Sequence, residues 1–195
     1  MLICGLDEAG RGPLAGPVVV AGVIFKSDIS IPGVRDSKKL SELKRESLFG
    51  EIIDKCVDYN IQTIDNKVID EQNILRATMI GMENCLRILN VRNIKIFIDG
   101  NYFRLPDGSE SLYNYETVVK GDDKIFQVSC ASILAKVTRD RIMKEYDDIY
   151  PQYNFKRHKG YGTREHIANI GKYGLCEIHR ITFCKNFIQS SIIDE

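Results

Sequence analysis

Residues 2–25 constrain the fold more tightly than any other part of the chain. LICGLD reads as a short buried strand and PVVVAGVIF as a longer one, nearly continuous in apolar and β-branched residues. The turn-rich AGRGPLAG joins them, and two adjacent acids, Asp7 and Glu8, close the first strand. Charge at the end of a buried strand is costly unless something positive neutralises it. The glycines that follow let another molecule approach the main chain. The pattern asks for a cation and for a substrate that touches backbone. Adjacent side chains on a regular strand point to opposite faces, so a site shared by Asp7 and Glu8 predicts that the strand ends or bulges there.

The same design recurs downstream. Helical spacing predicts a helix over 41–56 with Ser41 as its N-cap, and VDYNIQTI alternates like a third strand. A helix is expected over 73–90, then a buried strand, IKIFID, ending at Asp99, and a loop over 101–114. YETVVKGDD reads as a further strand running into Asp122 and Asp123, followed by a long helix to Tyr150. Beyond Pro151 come a basic glycine-rich loop, a helix from about Thr163 and a helical tail. Early strands and late helices predict the α/β class, with sites at a sheet edge. Three strand-to-loop junctions carry acids: Asp7-Glu8, Asp99 and Asp122-Asp123.

Hard cations such as Mg²⁺ take oxygen ligands, usually a few carboxylates plus substrate phosphate. Two such ions about 4 Å apart can activate water and stabilise a leaving oxygen in phosphodiester hydrolysis. A glycosidase needs two carboxylates and has no use for clustered bases. Histidines 158, 166 and 179 all lie late, with no elbow motif for a nucleophile. Net charge is zero, yet basic residues cluster in DSKKLSELKR, AKVTRDRIMK and KRHKGYGTR, which predicts a basic groove rather than a basic surface. The six cysteines form no CxxC pair and are expected to be reduced thiols of a cytoplasmic protein, not zinc ligands. Neither a membrane span nor a signal peptide is expected. The 195 residues, 44% hydrophobic, favour one domain.

GLDEAGRGPLAGPVVVAG, DSKKLS, IDEQNIL, FIDGN, VVKGD, ASILAKVTRD, YPQYNFKRHKGYGT and HRITF occur in this order between residues 5 and 183. Together they resemble ribonuclease HII, the type 2 bacterial ribonuclease H. The resemblance implies an RNase H-like fold: a mixed five-stranded sheet flanked by helices, one catalytic domain over 1–195 whose residues 150–195 form a C-terminal helical extension. It implies an endonuclease that hydrolyses the RNA strand of RNA–DNA hybrids and cuts 5′ of ribonucleotides embedded in duplex DNA. Products would carry 5′-phosphate and 3′-hydroxyl ends, in the service of ribonucleotide and RNA primer removal during replication and repair. Mg²⁺ or Mn²⁺ would occupy a two-metal site held by Asp7, Glu8, Asp99 and Asp122. Motif register favours Asp122, directly after Lys-Gly, over Asp123; Asp140 in KVTRD also matches the family pattern and is expected either to be structural or to support the metal-binding acids from behind.

The resemblance also assigns a ribonucleotide reader, Gly10-Arg11-Gly12 with Tyr161. Its ring would stack on the deoxyribose after the ribonucleotide and its hydroxyl would reach the 2′-OH, the group that separates RNA from DNA. Arg11, Lys38, Lys39 and Arg139 are expected at phosphates, and His158 stays outside the site. The protein is expected to be a monomer. Ribonuclease HIII would differ by an extra N-terminal domain and another turn in place of Gly-Arg-Gly. A noncatalytic hybrid-binding protein would be expected to lack at least one of the four acids.

Overall fold

The computed structural model describes residues 1–34 and 39–188. Strands β1 (Leu2–Ala9), β2 (Val18–Lys26), β3 (Asp58–Ile64), β4 (Lys95–Asp99) and β5 (Asn114–Val118) form one mixed sheet in the order β3-β2-β1-β4-β5. Neighbours β1–β2 and β2–β3 are antiparallel, while β1–β4 and β4–β5 are parallel. The helices are α1 (Glu42–Lys55), α2 (Asn66–Gln72), α3 (Ile74–Leu89), α4 (Gly121–Lys124), α5 (Phe126–Ile149), α6 (Phe155–His158), α7 (Arg164–Tyr173) and α8 (Ile181–Ile188). The mixed five-stranded sheet with flanking helices and a helical C-terminal part is the expected architecture.

Strand β2 is covered on both faces, which explains its near-continuous apolar run. Val20 and Ile24 pack with Leu6, Ile96 and Ile98 under Met82, Cys85 and Leu86 of α3. Val19, Ala21, Val23 and Phe25 face Leu48 and Ile52 of α1 and Cys130, Ile133 and Leu134 of α5. A third cluster joins Leu14 and Ala15, in the turn after β1, to Met143 and to Tyr153, Phe155, Ile170 and Cys184 of the C-terminal part. All six cysteines are unpaired, and among the described residues no helix is long and apolar enough to cross a membrane.

Three local expectations need correction. Strand β1 neither ends nor bulges at the acids: its pairing with β2 runs one-to-one through Asp7↔Ala21 and Glu8↔Val20 to Ala9↔Val19. A short helix, α2, precedes α3; the Asp65 side chain caps it by accepting from the Val68 N–H, and Asn73 at φ 65° separates the two. Strand β5 stops at Val118, Lys120 turns the chain at φ 56°, and Asp122 and Asp123 lie on the one-turn helix α4 rather than at a strand end.

Candidate active site

The site forms where β1 outruns its parallel neighbour. The last β1–β4 pair is Leu6↔Ile98, and one step further places Asp7 beside Asp99 on the face covered by α5. Helix α5 lies directly on β1 because residue 5 is glycine: a Cβ there would stand 2.1 Å from the Gln127 carbonyl carbon. Five helical residues advance about 7.5 Å, and two strand residues advance about 6.6 Å. Ser132 therefore arrives over Asp7, and its hydroxyl bonds the Asp7 carboxylate. Glu8 points to the other face, toward Met79 and Met82. Both acids still border one cavity, since β4 ends at Asp99 and no longer separates the two faces.

That cavity, of about 240 Å³, is lined by Asp7, Glu8 and Asp99 together with Gly10, Arg11, Gly12, Ser132, Lys136, Arg139 and Tyr161. Asp99 is held by the Gly121 N–H, which donates to its Oδ1 at 2.7 Å. The next residue, Asp122, is buried, and its carbonyl accepts from the Ser129 hydroxyl at 2.6 Å. Asp123 turns outward and accepts from Lys39 Nζ at 3.2 Å. Asp122 thus lies next to the acids lining the cavity without itself lining it.

Burial, and then the charges of Glu8 and Asp99, push the Asp7 carboxyl well above the usual carboxylate range; the Ser132 hydroxyl works against this. Crowded carboxylates of this kind offer only hard oxygen donors, and a divalent cation would relieve their repulsion. Among the described residues, no three acidic, histidine or cysteine side chains are gathered tightly enough to hold an ion by themselves. Mg²⁺ commonly binds under that condition, with few carboxylates and the remaining positions left to water and substrate phosphate. The donor set fits such an ion.

The glycine turn and Tyr161 meet at the rim. Arg11 Nη1 lies 3.3 Å from Glu8 Oε1, and a Cβ on Gly12 would stand 3.7 Å from the Tyr161 ring. Tyr161 is 45% exposed, and the Arg139 guanidinium carbon lies over its ring, 5.9 Å from the centroid. Arg139, expected at a phosphate, is buried instead. Its Nε, Nη1 and Nη2 donate to the carbonyls of Pro17, Lys159 and Ala15 at 3.0, 2.9 and 3.1 Å, which ties the glycine turn to the Tyr161 loop. Lys39 pairs with Asp123, and Lys38 lies outside the described residues. Asp140, expected to be structural or to support the acids, is buried between Lys136 at 2.7 Å and Arg45 at 3.6 Å. Much of the clustered positive charge is paired locally: Arg141 with Glu46, Lys144 with Glu42, Lys156 with Asp147 and Arg157 with Glu165. Among the described residues, Arg11, Lys136 and Arg139 are the basic ones that border the cavity.

Sequence reasoning passed over several residues here. Ser132 lies inside an apolar helical stripe, and Arg180 lies in HRITF, where no neighbouring residue signals a site. Arg180 is fully buried and donates from Nε, Nη1 and Nη2 to the carbonyls of Gly16, Arg11 and Gly10 at 2.9, 2.9 and 2.6 Å. The three histidines form a buried stack, with His158 and His166 rings 4.5 Å apart and His166 Nε2 3.1 Å from His179 Nε2.

Acids at the adjoining ends of β1 and β4, beneath a long helix and beside a backbone-exposing turn, define a nuclease of the RNase H-like class. Comparison with known proteins narrows this. The family model described as ribonuclease HII matches residues 4–186. The ribonuclease HII of Caldicellulosiruptor bescii is 50% identical over 186 residues, covering 95% of this chain and 88% of that protein. The solved ribonuclease H2 of Pyrococcus horikoshii superposes with a TM-score of 0.77 at 30% identity, over 100% of both chains. The Bst ribonuclease HIII solved with Mn²⁺ shares the fold, with a TM-score of 0.69 at 17% identity over 98% of this chain and 70% of that one. The chain belongs to the ribonuclease HII family. It is a ribonuclease H, an endonuclease acting on RNA–DNA hybrids.

Proposed function

We propose that the chain cuts RNA strands in hybrids and cuts 5′ of ribonucleotides embedded in duplex DNA, leaving 5′-phosphate and 3′-hydroxyl ends. The observation that carries this reading is the single cavity shared by Asp7, Glu8 and Asp99 with Gly10-Arg11-Gly12 and Tyr161. Those three acids, with Asp122 beside them, would hold Mg²⁺ or Mn²⁺ in a two-metal site. Bound there, such ions supply activation of the attacking water and stabilisation of the departing 3′-oxygen.

The chain's own residues orient and select. Ser132 and the Gly121 N–H fix the carboxylates of Asp7 and Asp99. The glycine turn and the Tyr161 hydroxyl bracket the position of a 2′-OH, while the Tyr161 ring offers a stacking face to the following deoxyribose. Arg11, Lys38 and Lys39 meet phosphates, and Arg139 acts by holding the two reader loops together. The same reading makes residues 1–195 one catalytic domain with 150–195 as its extension, working as a cytoplasmic monomer in ribonucleotide and RNA primer removal.

The test is a labelled DNA duplex carrying one ribonucleotide, incubated with Mg²⁺, Mn²⁺ or EDTA beside an all-DNA duplex. Metal-dependent cutting 5′ of the ribose, with the control intact, is the expected result. Binding without cutting in either metal would replace this reading with a noncatalytic one.

A further inference from the structure

The Gly-Arg-Gly turn is held from behind by a buried charge. Neither Arg180 nor Arg139 has a carboxylate within ion-pair distance among the described residues; each is solvated by three backbone carbonyls. Burial pushes the Arg180 guanidinium down to about 9, and the nearby charge of Arg139 adds to this. Burying two like charges side by side is expensive, and an apolar residue of similar size would avoid that expense. The arrangement therefore serves something other than packing.

Peptide geometry indicates what that is. A peptide unit is planar, and in its trans form the carbonyl of one residue points opposite to the N–H of the next. No peptide bond is cis among the described residues. Because the Gly10 and Arg11 carbonyls point inward to Arg180, the Arg11 and Gly12 N–H groups point outward, and both residues line the cavity. Neither N–H donates to another group among the described residues. A cation on the carbonyl side also polarises each peptide and strengthens the donor on its far side. The third donor of Arg180 grips Gly16, which has φ +84°, so the planar fork spans the whole turn from residue 10 to residue 16. Only a guanidinium offers such a rigid, multi-donor fork.

We propose that Arg180 is a positioning residue for ribonucleotide recognition, presetting two peptide units so that the Arg11 and Gly12 N–H groups face an oxygen of the substrate. This rests on the reader role given to the turn above. Arg180→Lys keeps the charge and loses the fork, which makes it the variant to test. Its kcat/KM on the single-ribonucleotide duplex should fall about 10- to 100-fold, as expected for one or two weakened hydrogen bonds. Mn²⁺ affinity of the free protein and affinity for an all-DNA duplex should stay within about twofold, since Arg180 is fully buried and its donors go to the carbonyls of residues 10, 11 and 16 rather than to the acids. Cutting within about threefold of wild type would overturn the proposal. So would a parallel loss of Mn²⁺ affinity, which would mark a general structural role.

Should Arg180→Lys fail to fold, ¹⁵N-labelled Asp7→Asn protein carries the test. Its Arg11 and Gly12 amide resonances should move on addition of the single-ribonucleotide duplex and not with all-DNA duplex; indifference of both amides would overturn the proposal. A wild-type protein that cuts no ribonucleotide duplex brings down the functional reading itself. A wild type that cuts beside an equally active Arg180→Lys brings down only the role of Arg180.

Discussion

Acidification should unfold this protein through two histidines that no catalytic step uses. His166 and His179 are 0% and 1% exposed, and their partners fix both rings as neutral. The Cys176 N–H donates to His179 Nδ1 at 2.9 Å, so the His179 proton sits on Nε2 and points at His166 Nε2, 3.1 Å away. His166 in turn donates from Nδ1 to the carbonyl of Tyr161 at 2.9 Å. A further proton on either ring would set one N–H against another. Burial pushes both imidazoles from 6.5 down to about 4. The unfolded chain therefore binds more protons between those values. Stability is complete above pH 6.5 and falls as the pH drops toward 4.

Taking those values, each ring removes about 2.5 kcal/mol between pH 7.5 and pH 4.5, or about 5 kcal/mol for the pair. That rivals the whole stability of many domains. Between pH 5 and 6 the slope should be about 2.3 kcal/mol per pH unit for the pair. Asp7, whose carboxyl is raised, contributes with the opposite sign and cannot produce this fall. Urea unfolding at half-unit steps of pH measures the slope, and His179→Gln should reduce it to about 1.2 kcal/mol per unit. A flat wild-type profile, or a slope that His179→Gln leaves unchanged, would refute the reasoning.

Asp7→Asn should lower cleavage by about 10³-fold or more. Its thermal midpoint should match or exceed wild type, because the buried charge beside Glu8 and Asp99 is gone. Tyr161→Ala should reduce kcat/KM on the single-ribonucleotide duplex about tenfold or more while changing duplex affinity little; equal cutting would remove Tyr161 from the reader. Gly10→Ala should destabilise the fold by about 2–4 kcal/mol in urea. Its φ is +100°, and its new Cβ would stand 2.1 Å from Arg139 Nε.

What the sequence disclosed and what it hid divide along contact range. Ser41 and Thr163 cap their helices by bonding amides three residues on, a local rule visible in the residues themselves. The apolar runs of β1, β2 and β4 likewise placed the acids at one edge of the sheet. The bulge expected at Asp7 and Glu8 did not form, because the opening is made by the early end of β4, a property of the neighbouring strand. Helix α4 was hidden for a similar reason: its four residues, started by a left-handed Lys120, carry no helical period. Arg139 read as a surface base because nothing near it in sequence reveals the carbonyls of Ala15 and Pro17 that surround it. Arg180 grips residues 10 and 11 across about 170 positions, beyond the reach of any local pattern.

The most direct test of a cation site built by the acids of β1, β4 and α4 is Mn²⁺ titration, followed by paramagnetic resonance, of wild type, Asp7→Asn, Asp122→Asn and Asp123→Asn. Asp7→Asn and Asp122→Asn should each weaken Mn²⁺ binding about tenfold or more, and Asp123→Asn by less than about twofold. Wild-type affinity surviving in Asp7→Asn, or a larger loss in Asp123→Asn than in Asp122→Asn, would contradict the site as drawn.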